Sequence, residues 1–301
     1  MSGAKTSGDK EQSTSVLAFN RCRRAPLALV LTSTLAFAAL SLPAQAQGKL
    51  EAKYTVSLAG IPIGTGEWTI GVADTHYTAS ASGTTTGLMR VLTGGHGTTT
   101  ANGTLGPGRP ISSVYASTVF AHKKSDSISF TVSNGTVKDL KLDPPQDPDP
   151  ERVPIVEGHE QGVVDPITAT LIRVPGDGDL VSSSACQHTL SVFDGRMRYE
   201  LQLAFKRIDQ VKTDKGYAGP VVVCAVYFTP VAGYVPSRTA IRYIAKLRDI
   251  ELWLAPIAGT RVLAPYRAQG PSPIGLVVFQ AVEFVSLPAP AKASANGSKS
   301  Q

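Results

Sequence analysis

Apolar and polar residues alternate with period two over much of this chain, and that pattern excludes a helical fold. Over residues 49–58, Leu50, Ala52, Tyr54, Val56 and Leu58 share one phase, and Lys49, Glu51, Lys53, Thr55 and Ser57 share the other. Successive strand residues point to opposite faces, so such a stretch is a strand with one dry and one wet face. Trp68, Ile70 and Val72 repeat the pattern over 67–72, and Tyr77, Ala79 and Ala81 repeat it over 76–82. The turn residues between the three stretches predict an antiparallel meander. In it, Tyr54, Val56, Trp68, Ile70 and Tyr77 face one side of the sheet, where they are the candidate lining of a ligand cavity.

Further strands are expected over 96–105 and 111–121, and a hairpin over 126–142. Asn134-Gly135 is the pair that a type I′ turn demands, because both positions need positive φ. Leu140 and Leu142 are out of phase with Val137, which predicts a bulge in the return strand. Thr86 to Leu92 breaks the alternation and suits a short helix that Gly94-Gly95 ends. Residues 143–164 form a Pro- and Asp-rich loop, since Pro144, Pro145, Pro148, Pro150 and Pro154 cannot sit in a central strand. Asp165-Pro166 has the N-cap and first-turn signature of a helix, expected to run to Val174.

Cys186 and Cys224 bracket a second strand-rich unit. Asp194-Gly195 is expected as a two-residue turn before Met197, Tyr199, Leu201, Leu203 and Phe205, which alternate with Arg196, Arg198, Glu200 and Gln202. A more apolar strand follows over 221–228. A short helix is expected over 238–247, then closing strands over 250–255, 261–267 and 274–285. The expected fold class is mainly β: an antiparallel, strongly curled sheet or half-open β-barrel with two or three short helices.

The first 46 residues have the layout of an export signal. Arg21, Arg23 and Arg24 precede the Ala- and Leu-rich run 25–42, and Ala44-Gln45-Ala46 fits a cleavage site. A periplasmic mature chain beginning at Gln47 is expected, with one β-rich domain over 47–287 and a disordered tail over 288–301. The leader carries five basic and two acidic residues, so its removal takes the formal charge from +6 to +3. That excess is too weak and too spread for nucleic acid. No second apolar run reaches spanning length, so contact with a membrane would be peripheral at most. Two cysteines remain after cleavage, and an oxidising compartment favours a Cys186–Cys224 bridge over two buried thiols.

No set of residues converges on catalysis. His76, His96, His122, His159 and His188 are far apart and match no metal spacing. The serine-hydrolase elbow is absent, and the cysteines lack redox spacing. Asp143, Asp147, Asp149 and Glu151 read as a solvated linker, and Arg196, Arg198, Lys206 and Arg207 as a solvated sheet face. No cofactor or metal is expected.

Several turn and helix-start motifs occur together: Gly60-Ile-Pro-Ile-Gly64 between strands, Tyr77, Thr86-Gly87, Asp165-Pro166-Ile-Thr-Ala169 and Phe193-Asp-Gly-Arg196. In this order they resemble the DUF3108 family, exported bacterial proteins with no assigned activity. The resemblance runs from Leu50 to Val285 and brings no catalytic residues. By analogy of shape with carrier proteins, the expected function is a non-enzymatic periplasmic protein of envelope assembly or maintenance, with a lipid or envelope polymer as the candidate partner in the sheet's concavity. A hydrolase of envelope glycans and a structural interaction module are the alternatives.

Overall fold

The alternating stretches become neighbouring strands of one meander. The computed structural model describes residues 47–288 apart from Pro107 and Lys123. In it β1 (Gly48–Leu58), β2 (Ile61–Val72), β3 (His76–Thr85), β4 (His96–Leu105), β5 (Pro110–Ala121), β6 (Lys124–Ser133) and β7 (Thr136–Asp143) each pair antiparallel with the next. The expected leader and the expected tail beyond Pro288 lie outside the described residues. Between β3 and β4, α1 (Gly87–Thr93) ends at Gly94, whose φ of 55° lets its N–H bond back to Arg90 O. Asn134 and Gly135 have φ of 51° and 75°, as a type I′ turn requires. The expected bulge follows in β7. Asp139 and Leu140 stand opposite Phe130 alone, between the pairs Thr131–Lys138 and Ser129–Lys141.

The second half of the chain starts at the far edge and works inward. Its elements are β8 (Ile172–Arg173), β9 (Thr189–Phe193), β10 (Arg198–Lys212), β11 (Lys215–Gly216), β12 (Ala218–Ala232), α2 (Thr239–Ile244), β13 (Glu251–Pro256), β14 (Val262–Ser272) and β15 (Gly275–Pro288). The main path runs β7-β6-β5-β4-β3-β2-β1-β15-β14-β13-β12-β10-β9, with β8 on β14 and β11 on β15. The first and last strands therefore meet at the centre of a 15-stranded sheet. Among the described strands, every strand–strand pairing is antiparallel except β11 with β15.

This sheet curls without closing. Segment 161–164 runs from the start of β7, where Gln161 bridges to Thr136, to the edge strand β9. Gly162 N–H donates to Gly135 O at 2.7 Å, Val164 N–H to Ser191 O at 2.9 Å, and Phe193 N–H to Val164 O at 3.0 Å. Phe130 of β6 and Phe193 of β9 meet inside the curl with ring centroids 5.6 Å apart. The strap occupies edge groups that would otherwise template another strand.

Register explains the core. Ile70, Ala79, Ala101, Tyr115 and Phe130 stand directly opposite one another across β2 to β6, and all are buried. In β12 both faces are covered. Val221 and Val223 pack with Trp253 and Phe284, while Val222 and Cys224 pack with Ala185, Leu190 and Leu254. A strand buried on both faces reads as a continuous apolar run, and 221–226 does. The Cys186–Cys224 disulfide joins the 3-10 turn Ser183–Cys186 to the middle of β12, with Cα atoms 5.5 Å apart.

Three local expectations are corrected. The helix from Asp165 to Val174 is one 3-10 turn, Thr168–Thr170, followed by β8. Asp165 does cap it, accepting Thr168 N–H at 2.8 Å. However, Thr168, Thr170 and Ile172 are β-branched and stiff, and Ile172–Arg173 pair with Leu263 and Val262 instead. The β9–β10 turn centres on Gly195-Arg196, one residue late. The Asp194 carboxylate accepts Arg196 N–H and Met197 N–H at 2.8 and 2.7 Å, which draws the turn forward. The four basic residues of this hairpin are a solvated face only in part, since Lys206 stays exposed while Arg196 and Arg198 are largely covered. Arg196 pairs with Asp126, Arg198 is 8% exposed, and Lys206 and Arg207 both bind Glu251.

Candidate functional site

Burial along the inner face of β1 to β5 declines from one end to the other. The Ile70 row is sealed. The next row, Trp68–Ala81–Thr99–Ser117, is half-covered. One row further, Tyr54, Gly66, Gly83, Gly97 and Val119 stand opposite one another, so three consecutive strands contribute a glycine. Beside Gly83 and Gly97 of this row a groove of about 530 Å³ opens next to Trp68, with Ile167 and Val119 on its walls and Thr85 and Thr93 at its mouth. A Cβ on Gly83 would meet only Thr65 O of the neighbouring strand β2, at an ordinary 3.6 Å, so a side chain on this face has room in the groove.

The five residues expected to line a cavity share this face, and their surroundings differ. Ile70 and Tyr77 are buried in the core, Tyr77 bonding to Thr168 Oγ1. Tyr54 is also buried, and its hydroxyl donates to Pro265 O at 2.7 Å. Val56 and Trp68 are half-buried toward the open end. Trp68 is held by aromatic neighbours, with centroids 5.6 Å from Tyr54 and 5.9 Å from Phe279. Sequence reading missed Ile167 and Phe279, which arrive from distant segments, and the glycine floor. The available signal was a glycine inside three successive strands, since glycine in a strand interior marks a bend or a close approach.

A second concave region has opposite chemistry. In β10 Phe205 faces Cys224 and Arg207 faces Val223, so Lys206 is an extra residue. This bulge turns Arg207 and Asp209 to the face of Trp253 and leaves Phe205 and Ile208 exposed. The buried Glu251 accepts bonds from Lys206, from Arg207 Nη1 at 3.0 Å and from Gln269 Nε2 at 3.2 Å. Asp209 accepts from Arg207 Nε and from Trp253 Nε1, both at 3.0 Å. The guanidinium carbons of Arg207 and Arg267 lie 5.4 and 5.0 Å from the Trp253 ring centroid.

These carboxylates are not set up for proton transfer. A general acid needs its pKa raised toward the working pH. The hydrogen bond from Arg207 instead holds Glu251 at about 2. Burial does raise Asp165 and Asp194. Both, however, are occupied by the turn N–H groups that they cap. His188 is lowered by burial and lies near none of these groups in the chain.

Glu251 gives a pH prediction. Its native pKa lies below the ordinary value of 4.5. Its stabilisation is therefore complete above about 4.5 and is lost as pH falls toward about 2. Urea unfolding at stepped pH should show a shallower acid limb for Glu251→Gln than for the parent. An unchanged limb would assign the acid sensitivity to other groups.

Comparison with known proteins gives one result. No curated protein and no solved structure was found to match the chain. A family model does match, over residues 53–282, and its description is a protein of unknown function, DUF3108. The matched span runs from β1 into β15 and takes in the turns and caps described above. The chain therefore belongs to the DUF3108 family.

Proposed function

We propose that this chain is a non-enzymatic periplasmic protein of envelope assembly or maintenance that holds a lipid-like acyl chain in the inner groove beside Trp68. The observation that carries this reading is the pair Gly83–Gly97, opposite one another on neighbouring strands. It leaves a trough on the core face of the sheet where side chains would otherwise fill the space. Ligand sites are commonly concave, mostly apolar and largely pre-formed. Export is supported by the leader-like first 46 residues and by a disulfide suited to an oxidising compartment. The glycan-hydrolase alternative is weakened because Glu251, Asp209, Asp165 and Asp194 are each committed to an ion pair or a turn.

Two measurements test the groove. Native mass spectrometry of gently purified protein should show co-purified lipid. Titration with a long-chain fatty acid should move tryptophan emission to shorter wavelength in the parent. Trp68→Phe should abolish the shift, since it retains only Trp253. Gly83→Val suits the strand, and its side chain enters the groove. It should leave the unfolding midpoint unchanged and weaken binding by about tenfold, the equivalent of ~1.4 kcal/mol. Full binding by Gly83→Val would remove the groove as the site.

A further inference from the structure

The groove opens at one end of the sheet, where four chain connections form a rim. Backbone hydrogen bonds join them in a row. Ala59 N–H in the β1–β2 turn donates to Leu276 O, just after the β14–β15 turn, at 2.9 Å. Thr86 N–H before α1 donates to Ile63 O at 3.0 Å, and His122 N–H in the β5–β6 turn donates to Thr93 O, at the end of α1, at 3.1 Å. Each connection holds a large apolar side chain in solvent: Ile274 is 74% exposed, Ile61 67%, Val91 82% and Phe120 43%. Single exposed aliphatic residues need no explanation. Four on adjacent connections of one rim form a patch, and a patch marks an interaction site.

The charge on the rim identifies the partner. Among the described residues of 59–64, 86–95, 119–124 and 270–276 the charged ones are Arg90 and Lys124, with no aspartate or glutamate. Asp126, the next acid along the chain, is paired with Arg196 at 3.0 Å. Arg90 and Lys124 are exposed. Apolar tips among basic residues match the two layers of an anionic bilayer surface: aliphatic groups enter the headgroup–acyl boundary while cations meet the headgroups.

We propose that this rim docks on the surface of an anionic lipid bilayer, which brings the groove mouth to the membrane. The inference rests on the groove reading for its purpose, although docking itself is measured separately.

The test is co-sedimentation of the purified chain with vesicles of phosphatidylcholine alone, or of phosphatidylcholine and phosphatidylglycerol in equal parts. Binding is expected to the mixed vesicles and to fall as salt is raised. Val91→Ser and Ile274→Ser should each weaken it by about tenfold through lost apolar burial. Arg90→Glu and Lys124→Glu should each weaken it by about fivefold or more. All four positions are exposed, so unfolding midpoints should stay at the parent value. Equal sedimentation with both vesicles, or undiminished binding by the four variants, would overturn the proposal. Absence of sedimentation while fatty acid still shifts Trp68 emission would overturn docking and spare the groove. Sedimentation without any emission shift would support docking and remove the groove.

Discussion

Asp165→Ala is expected to lower stability by about 3–5 kcal/mol, from the hydrogen-bond donors that it leaves unpaired. Asp165 is fully buried under β5. Its carboxylate accepts the Ser112 hydroxyl at 2.6 Å, the Thr168 hydroxyl, and the Thr168 N–H at 2.8 Å. Ser112 Oγ in turn accepts Asp165 N–H at 2.8 Å, and Tyr77 reaches the network through Thr168. Alanine would leave donors unpaired in a buried site, at about 1–3 kcal/mol each and less than additively. Asp165→Asn keeps an oxygen for the Thr168 N–H and should cost about 1–2 kcal/mol. Denaturant midpoints of the two variants measure the difference. An alanine variant within about 1 kcal/mol of the parent would show that the donors find other partners.

The sign of the pH effect distinguishes Asp165 from Glu251. Burial raises the Asp165 pKa above its ordinary 3.8. The folded chain therefore keeps this proton over a range in which the unfolded chain has released it. Its contribution is complete below about 3.8 and is lost as pH rises through the raised native value. Asp165→Asn should remove that dependence and leave the acid limb attributed to Glu251.

Cys224→Ala is the second large effect, an expected loss of about 2–5 kcal/mol. The bridge closes 38 residues of chain, and both cysteines are fully buried. In the chain-entropy model, a loop of this length removes about 4 kcal/mol of freedom from the unfolded state. The bridge also ties the crossover to the strand buried on both faces, so its loss loosens the second core cluster. Reductant should lower the parent's midpoint nearly to that of Cys224→Ala. Two alkylatable thiols in freshly isolated, denatured protein would contradict the bridge.

Much of the sheet could be read from neighbouring residues, because a strand's two faces differ in the side chains they carry. Alternation located β1, β3 and β4 to within a few residues. Asn134-Gly135 and the phase slip at Leu140 located the hairpin turn and its bulge. Gly94 marked the end of α1. The cysteines were paired correctly because only two follow the leader-like segment. Each of these depends on residues close in sequence, or on a choice with a single solution.

The rest depended on contacts between distant segments. Nothing local to Asp165 showed that Ile172 would pair with Leu263, and that pairing replaced the expected helix with a single turn. The bulge at Lys206 carried Arg207 and Asp209 to the Trp253 face, where Glu251, from another strand, pairs with Arg207. The groove exists because Gly83 and Gly97 stand opposite one another and Ile167 arrives from the crossover. Part of the sheet's edge is occupied because residues 161–164 reach from Thr136 of β7 to Val192 of β9. Period and turn chemistry define a strand and its dry face. Register and crossover define what that face meets, and the free energy of those pairings resides in partners tens to hundreds of positions away.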